Sequence, residues 1–211
     1  MKQHFDFHPE WIPRKWLKKL PWTSSNLLDK HLSPSDFVLD LGCGPKSPLH
    51  AYDVLYSVGV EIFKPYIKEA KRLHTHDEFI QADIRQIQFK PASFDTVVAF
   101  HVLEHLDKDD GYRLMVKMKE WARKKVIISL PNGYISFGSK DSNEFQIHRS
   151  GYTANELKGL GFYVYGGGLK LPWFHGRTGV MFQALTYPTG IITYYYPRVA
   201  KDITAIFSHT Y

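Results

Sequence analysis

The stretch DFVLDLGCGPKSP, residues 36–48, decides the fold of this chain. Phe37 to Leu41 form an apolar, β-branched run that ends at glycines, the pattern of a strand buried on both faces. Two glycines one residue apart, Gly42 and Gly44, then make a loop against which a ligand can lie closely, and Asp40 stands just ahead of them. In an open α/β sheet, ligands bind beyond the carboxyl ends of the strands, where such a loop sits. A dinucleotide site would continue G-x-G-x-x-G, with a helix N-terminus holding the pyrophosphate. Here Ser47 occupies the third glycine position, and Asp40 would repel a pyrophosphate. The pattern selects a cation, and a nicotinamide oxidoreductase is disfavoured.

Outward from this stretch the chain alternates strand and helix patterns. LYSVGVEI, EFIQAD, FDTVVAF and KVIISL read as strands. KPYIKEAKRLH has proline near a helix start and Ile67, Ala70 and Leu73 at helical spacing. DKDDGYRLMVKMKEWARK, residues 107–124, reads as one helix with Leu114, Met115, Met118 and Trp121 on one face, and SPLHAYD holds a short helix. TANELKGLGF carries a Thr cap, a Glu three residues on and a glycine stop, and FYVYGGG and DITAIFS supply late strands. Such alternation predicts a mostly parallel sheet covered by helices on both faces.

The 211 residues suffice for one domain. Within it we distinguish an aromatic and basic cap (1–30, read as helical), a ligand-binding core (36–167) and an aromatic insertion (168–200). The cap and the insertion are candidates to roof an acceptor pocket. Cys43 is the only cysteine, which excludes an internal disulfide or a Cys-based zinc cluster and points to a reducing, cytoplasmic setting. No apolar run approaches the ~20 residues that span a bilayer, and the start shows no signal-peptide pattern. The net charge of +6 is scattered over several helices, so it reads as a solvated basic face.

S-adenosylmethionine answers the chemistry of the glycine loop: an adenosine, no phosphate, a sulfonium and an ammonium. Asp40 with Gly42, Cys43 and Gly44 would hold its methionine end. Glu61, 21 residues after Asp40, would accept the ribose hydroxyls; Asp83 would accept from the adenine amino group, with Ile62 and Ile84 flanking the purine. In this order VLDLGCG, VGVEIF, QADI and FDTVVAFHVLEHL resemble the motifs of class I S-adenosylmethionine-dependent methyltransferases over residues 36–167. The resemblance implies a Rossmann-like seven-stranded sheet, order 3-2-1-4-5-7-6, with the seventh strand antiparallel. Lys46 or Ser47 departs from the third glycine that many relatives carry.

The loop HVLEHL follows the fourth strand, next to the transferable methyl, and His101 takes the place where the family holds the methionine part. Methyl transfer requires alignment and removal of the acceptor's proton, which makes His101 and His105 the candidate bases. H-x-x-E-H also resembles the metal-holding E-x-x-E-H loop of small-RNA and ubiquinone-pathway O-methyltransferases, and His148 follows the fifth strand as a ligand does there. His101, Glu104, His105 and His148 are therefore candidate ligands of a divalent metal and candidate catalytic residues; the alternative is that Glu104 and His105 only begin a helix. Asn132, Asn143 and Glu144 are further polar groups of the loop after the fifth strand. The expected function is methyl transfer to an oxygen or nitrogen of a small-molecule or glycan acceptor. An RNA 2'-O-methyltransferase with a metal-assisted site, and a non-catalytic cofactor-binding scaffold, are the alternatives; nucleic acid as a partner is the less favoured.

Overall fold

In the computed structural model, which describes residues 23–139, 141–169 and 190–209, the sheet is built from residues that point alternately to two apolar layers. The seven strands are β1 (Phe37–Leu41), β2 (Tyr56–Glu61), β3 (Glu78–Gln81), β4 (Phe94–Phe100), β5 (Ala122–Pro131), β6 (Tyr163–Leu169) and β7 (Ala200–Ser208). On β1, Val38 enters one layer while Leu39 and Leu41 enter the other; Val98 and Phe100 likewise part from Val97 and Ala99 on β4. Strands buried on both faces need helices on both faces, and the chain supplies them.

The described α-helices are α1 (Ser24–His31), α2 (Lys64–Arg72), α3 (Lys108–Trp121), α4 (Ala154–Gly159) and α5 (Gly190–Tyr195). Leu27 and Leu28 of α1 cover the Val38 side. Leu114, Met115, Met118 and Trp121 of α3, at helical spacing, close the other side in the larger core. The strand order is β3-β2-β1-β4-β5-β7-β6. β1 to β5 pair in parallel, whereas β7 runs antiparallel to both β5 and β6. The expected Rossmann-like architecture is the observed one.

One boundary departs from the sequence reading. The helix expected over 107–124 ends at Trp121, and β5 starts at once with Ala122 rather than at Lys125. Ala122 pairs with Phe94, and a register shift follows before Thr96 meets Lys125. Arg123 and Lys124 are drawn onto the strand by acids at the amino edge of the sheet: Arg123 Nε lies 3.2 Å from Asp95 Oδ1, and Lys124 Nζ lies 3.0 Å from Asp36 Oδ1 and 3.2 Å from Asp95 Oδ1. These contacts outweigh the helical preference of ARK. SPLHAYD forms a single 3-10 turn over Pro48–Ala51, and TANELKGLGF forms α4 with the capping box between Thr153 and Glu156. Most of the expected cap (1–22 of 1–30) and of the aromatic insertion (170–189 of 168–200) lie outside the described residues.

Candidate active site

The loop after β1 is pinned to β2: the N–H groups of Gly42 and Cys43 both donate to the Val60 carbonyl, at 2.8 and 3.0 Å. Gly42 has φ +67° and no room for a side chain, since a Cβ would come 2.6 Å from Val102. Gly44, with φ +58°, has nothing within 4 Å of where a Cβ would project. One glycine is thus needed for packing, and the other leaves the backbone open to a ligand. Ser47 stands where a third glycine was expected. Its hydroxyl accepts from Leu49 N–H as the cap of the 3-10 turn and donates to Asp40 Oδ2.

Asp40 is buried, in register with Gly59 of β2. Its Oδ2 also receives His76 Nε2 at 3.1 Å, while Oδ1 is buried without a hydrogen-bond partner among the described residues. Glu61, at the end of β2, accepts Gly44 N–H at 3.0 Å on Oε2 and Phe63 N–H at 2.8 Å on Oε1. Burial raises its pKa despite these bonds, and burial together with Asp40 and Glu61 raises that of the Cys43 thiol. Asp40, Gly42, Cys43, Gly44, Ser47, Glu61, Phe100 and His101 line one cleft at the carboxyl edge of the sheet. Tyr66 and Gln146 enter it from α2 and from the loop after β5. The Tyr66 hydroxyl donates to Asp141 at 2.9 Å and ties that loop to α2; burial and this carboxylate push its pKa up to about 12.

Asp83, Ile62 and Ile84 are not part of that lining. The Asp83 carboxylate is engaged by Arg85, with Nη2 at 2.6 Å, and this partner lowers its pKa. Ile84 is buried in the larger core, and Ile62 is half-buried.

His101 follows β4 with φ +54°, a left-handed backbone that a non-glycine residue seldom adopts, and its N–H donates to Ser129 O at 2.7 Å. Its Nδ1 lies 3.2 Å from Glu104 Oε1. Burial opposes a charge on His101, but the Glu104 bond and the charges of Glu104 and Asp202 outweigh it and hold the pKa above the ordinary value. Burial likewise opposes ionisation of Glu104, and the His101 bond with the two nearby imidazoles reverses it, so its pKa is lowered. The pKa of His105 is lowered by burial and, secondarily, by His148.

Glu104, His105 and His148 bring one ligating atom each to within 4.8 Å of one another. Glu104 Oε2 is buried and without a hydrogen-bond partner among the described residues. His148 is held by Nδ1 on Ile135 O at 2.7 Å, and its ring meets that of His105 edge-on at 4.9 Å. Of the four candidate metal ligands, the structure gathers these three, and His101 meets the group through Glu104. Asn132 and Asn143 act within the fold: Asn132 Nδ2 donates to Pro197 and Ala200 carbonyls, and Asn143 caps the 3-10 turn Glu144–Gln146. Three residues were missed by the sequence reading. Asp202 on β7 and His76 before β3 were not singled out in the sequence, and Ser47 was read only as a departure from a third glycine.

Residues 39–130 match the family model described as a methyltransferase domain. A carboxy-S-adenosyl-L-methionine synthase from Vibrio atlanticus (strain LGP32) is 32% identical over 133 residues, covering 57% of this chain and 54% of that protein. The chain therefore spans about half the length of the curated relative it matches. Among solved structures, an S-adenosylmethionine-dependent methyltransferase from Archaeoglobus fulgidus superposes with TM-score 0.59 at 18% identity, over 93% of this chain and 95% of the other. The magnesium protoporphyrin IX methyltransferase of Synechocystis PCC 6803 with bound S-adenosylmethionine does so with TM-score 0.53 at 17% identity, over 93% and 79%. Residues 39–130 are thus similar to a methyltransferase domain, and the chain shares the fold of S-adenosylmethionine-dependent methyltransferases of known structure.

Proposed function

We propose that this protein transfers a methyl group from S-adenosylmethionine to an oxygen or nitrogen of a small-molecule or glycan acceptor. The observation that carries this reading is the buried Asp40 Oδ1, without a partner among the described residues, in a cleft shared with the open backbone of Gly44. A buried carboxylate oxygen left unpaired costs free energy, and an ammonium group removes that cost. Asp40 would hold the amino-acid end. Glu61, held at the end of β2 by the N–H groups of Gly44 and Phe63, would take the ribose hydroxyls. Asp83, Ile62 and Ile84 complete the adenine end in this reading, Asp83 sharing its carboxylate with Arg85.

When bound, S-adenosylmethionine supplies an electrophilic methyl group. The protein has then to align an acceptor and take its proton. His105 suits the second task, because its lowered pKa keeps the imidazole neutral near pH 7 and able to accept. His101, whose pKa is raised and whose Nδ1 is engaged by Glu104, suits positioning better than proton removal.

Calorimetric titration with S-adenosylhomocysteine tests the reading. Wild-type protein is expected to bind, and Asp40→Ala or Glu61→Ala to lose about 1.5 to 3 kcal/mol, on the order of ten- to a hundredfold in affinity. Unchanged affinity in both variants would put the site elsewhere. Release of S-adenosylhomocysteine across an acceptor panel then separates methyl transfer from synthesis of a carboxylated cofactor, the activity named for the Vibrio relative, whose product keeps the adenosylmethionine frame.

The orphaned Glu104 Oε2 favours an alternative to His105 as the base, a divalent ion on Glu104, His105 and His148. Two imidazoles and a carboxylate suit zinc or manganese, and such an ion would lower the pKa of an acceptor hydroxyl. Added metal is expected to raise the melting temperature of the wild type and not of His148→Ala. An equal response of both would remove the ion from this place.

A further inference from the structure

The residue opposite Asp40 across the sheet is a glycine, and the space is filled from elsewhere. Asp40 of β1 is in register with Gly59 of β2. A Cβ at Gly59 would stand 3.0 Å from His76 Nδ1 and 2.9 Å from Cys43 Sγ. The missing side chain lets His76, in the connection between α2 and β3, reach across β2 to Asp40. The His76 side chain is completely buried. Its Nδ1 lies 3.0 Å from Thr75 Oγ1, and its ring meets Phe79 edge-on at 5.5 Å, so its orientation is fixed from two sides. A carboxylate oxygen accepts only, so His76 Nε2 carries the hydrogen toward Asp40 Oδ2. The Ser47 hydroxyl donates to that same oxygen from the glycine loop. Two donors thus converge on Oδ2, and Oδ1 is left without one among the described residues.

We infer that His76 is a positioning residue of the cofactor site: with Ser47 it holds Oδ2 of Asp40 so that Oδ1 is presented to the ammonium group of the cofactor's amino-acid end. This rests on the proposed cofactor reading and adds to it a residue that touches no ligand. A side chain that fixes one oxygen and leaves the other open orients the carboxylate before the ligand arrives, which lowers the ordering cost of binding.

The prediction concerns one end of the ligand only. S-adenosylhomocysteine carries the amino-acid end; 5'-methylthioadenosine lacks it and keeps the adenosine. Replacing His76 by Phe fills the space without a donor. His76→Phe is expected to weaken S-adenosylhomocysteine about tenfold while leaving methylthioadenosine within about twofold, the size of one charge-assisted hydrogen bond acting on one ligand. His76→Gln, whose terminal amide can stand near the place of Nε2, is expected to recover most of the affinity. Because replacing a whole buried ring can disturb folding, Ser47→Ala serves as a second probe, a smaller change that removes the other donor from the glycine loop; it should reproduce the selective loss. Equal weakening of both ligands in His76→Phe and Ser47→Ala, or no weakening in either, would overturn the inference while wild-type binding upheld the cofactor reading. Failure of the wild type to bind S-adenosylhomocysteine would overturn both.

Discussion

Asp202 shows what one buried charge does to this fold. It sits near the start of β7, paired in register with Pro131 of β5, and burial raises its pKa from 3.8 to about 6 against the opposing pull of His101 and Lys201. Between these two values the folded chain keeps a proton that the unfolded chain has released, so stability falls as pH rises through the window. Two units correspond to at most about 3 kcal/mol. Asp202→Asn removes the titration: the variant should match the wild type in denaturant unfolding near pH 4 and gain on it steadily up to pH 7. A difference that does not change with pH would mean that Asp202 is solvated. Neither Asp202 nor His76 was legible in the sequence. An acid in a late strand and a histidine before a short one acquire meaning only when β7 inserts beside β5 and Gly59 falls opposite Asp40. Gly59 itself was the available signal, because a glycine inside a strand marks a close approach. Asp40, Glu61 and the glycines were legible because they sit at strand ends that apolar runs announce.

At the scale of the element, α3 turns a usual rule around. Glycine inside a helix ordinarily costs about 1 kcal/mol relative to alanine. Gly111 lies on the buried side of α3, where a Cβ would stand 1.8 Å from the Tyr152 hydroxyl. That ring cannot step aside: Tyr152 is fully buried, packs edge-on against Tyr112 at 5.7 Å and donates to Lys108 O at 3.3 Å. Gly111→Ala should therefore destabilise by about 1 to 3 kcal/mol through overpacking. Adding Tyr152→Phe, which deletes the clashing oxygen, should return much of it; a stabilising Gly111→Ala would show that Tyr152 yields. Element boundaries were legible where local chemistry decides them, as at the Thr153 and Glu156 capping box. At Trp121 they were not, because Asp36 and Asp95, far off in sequence, recruit Arg123 and Lys124 into β5.

For the whole molecule, alternation of strand and helix fixed the class of architecture, whereas the position of β7 came from the family motifs. Periodicity cannot say that the last strand lies inside the sheet rather than at its edge. The same limit holds at the site. The three residues Glu104, His105 and His148 lie on two loops that the sequence separates by over forty positions, and only the parallel pairing of β4 with β5 makes those loops neighbours.

The inserted strand also sets an order of events in time. β6 is synthesised before β7, yet in the finished sheet β7 separates it from β5 and bonds to both. Until β7 arrives, β6 has no native partner strand, and its early pairing with β5 would be a kinetic trap that must be undone. In pulse-labelled hydrogen exchange during refolding, amides of Val164 to Gly167 should gain protection together with those of Ile203 to Ile206. Earlier protection of β6 alone would reveal a transient misregistered sheet on the way to the native one.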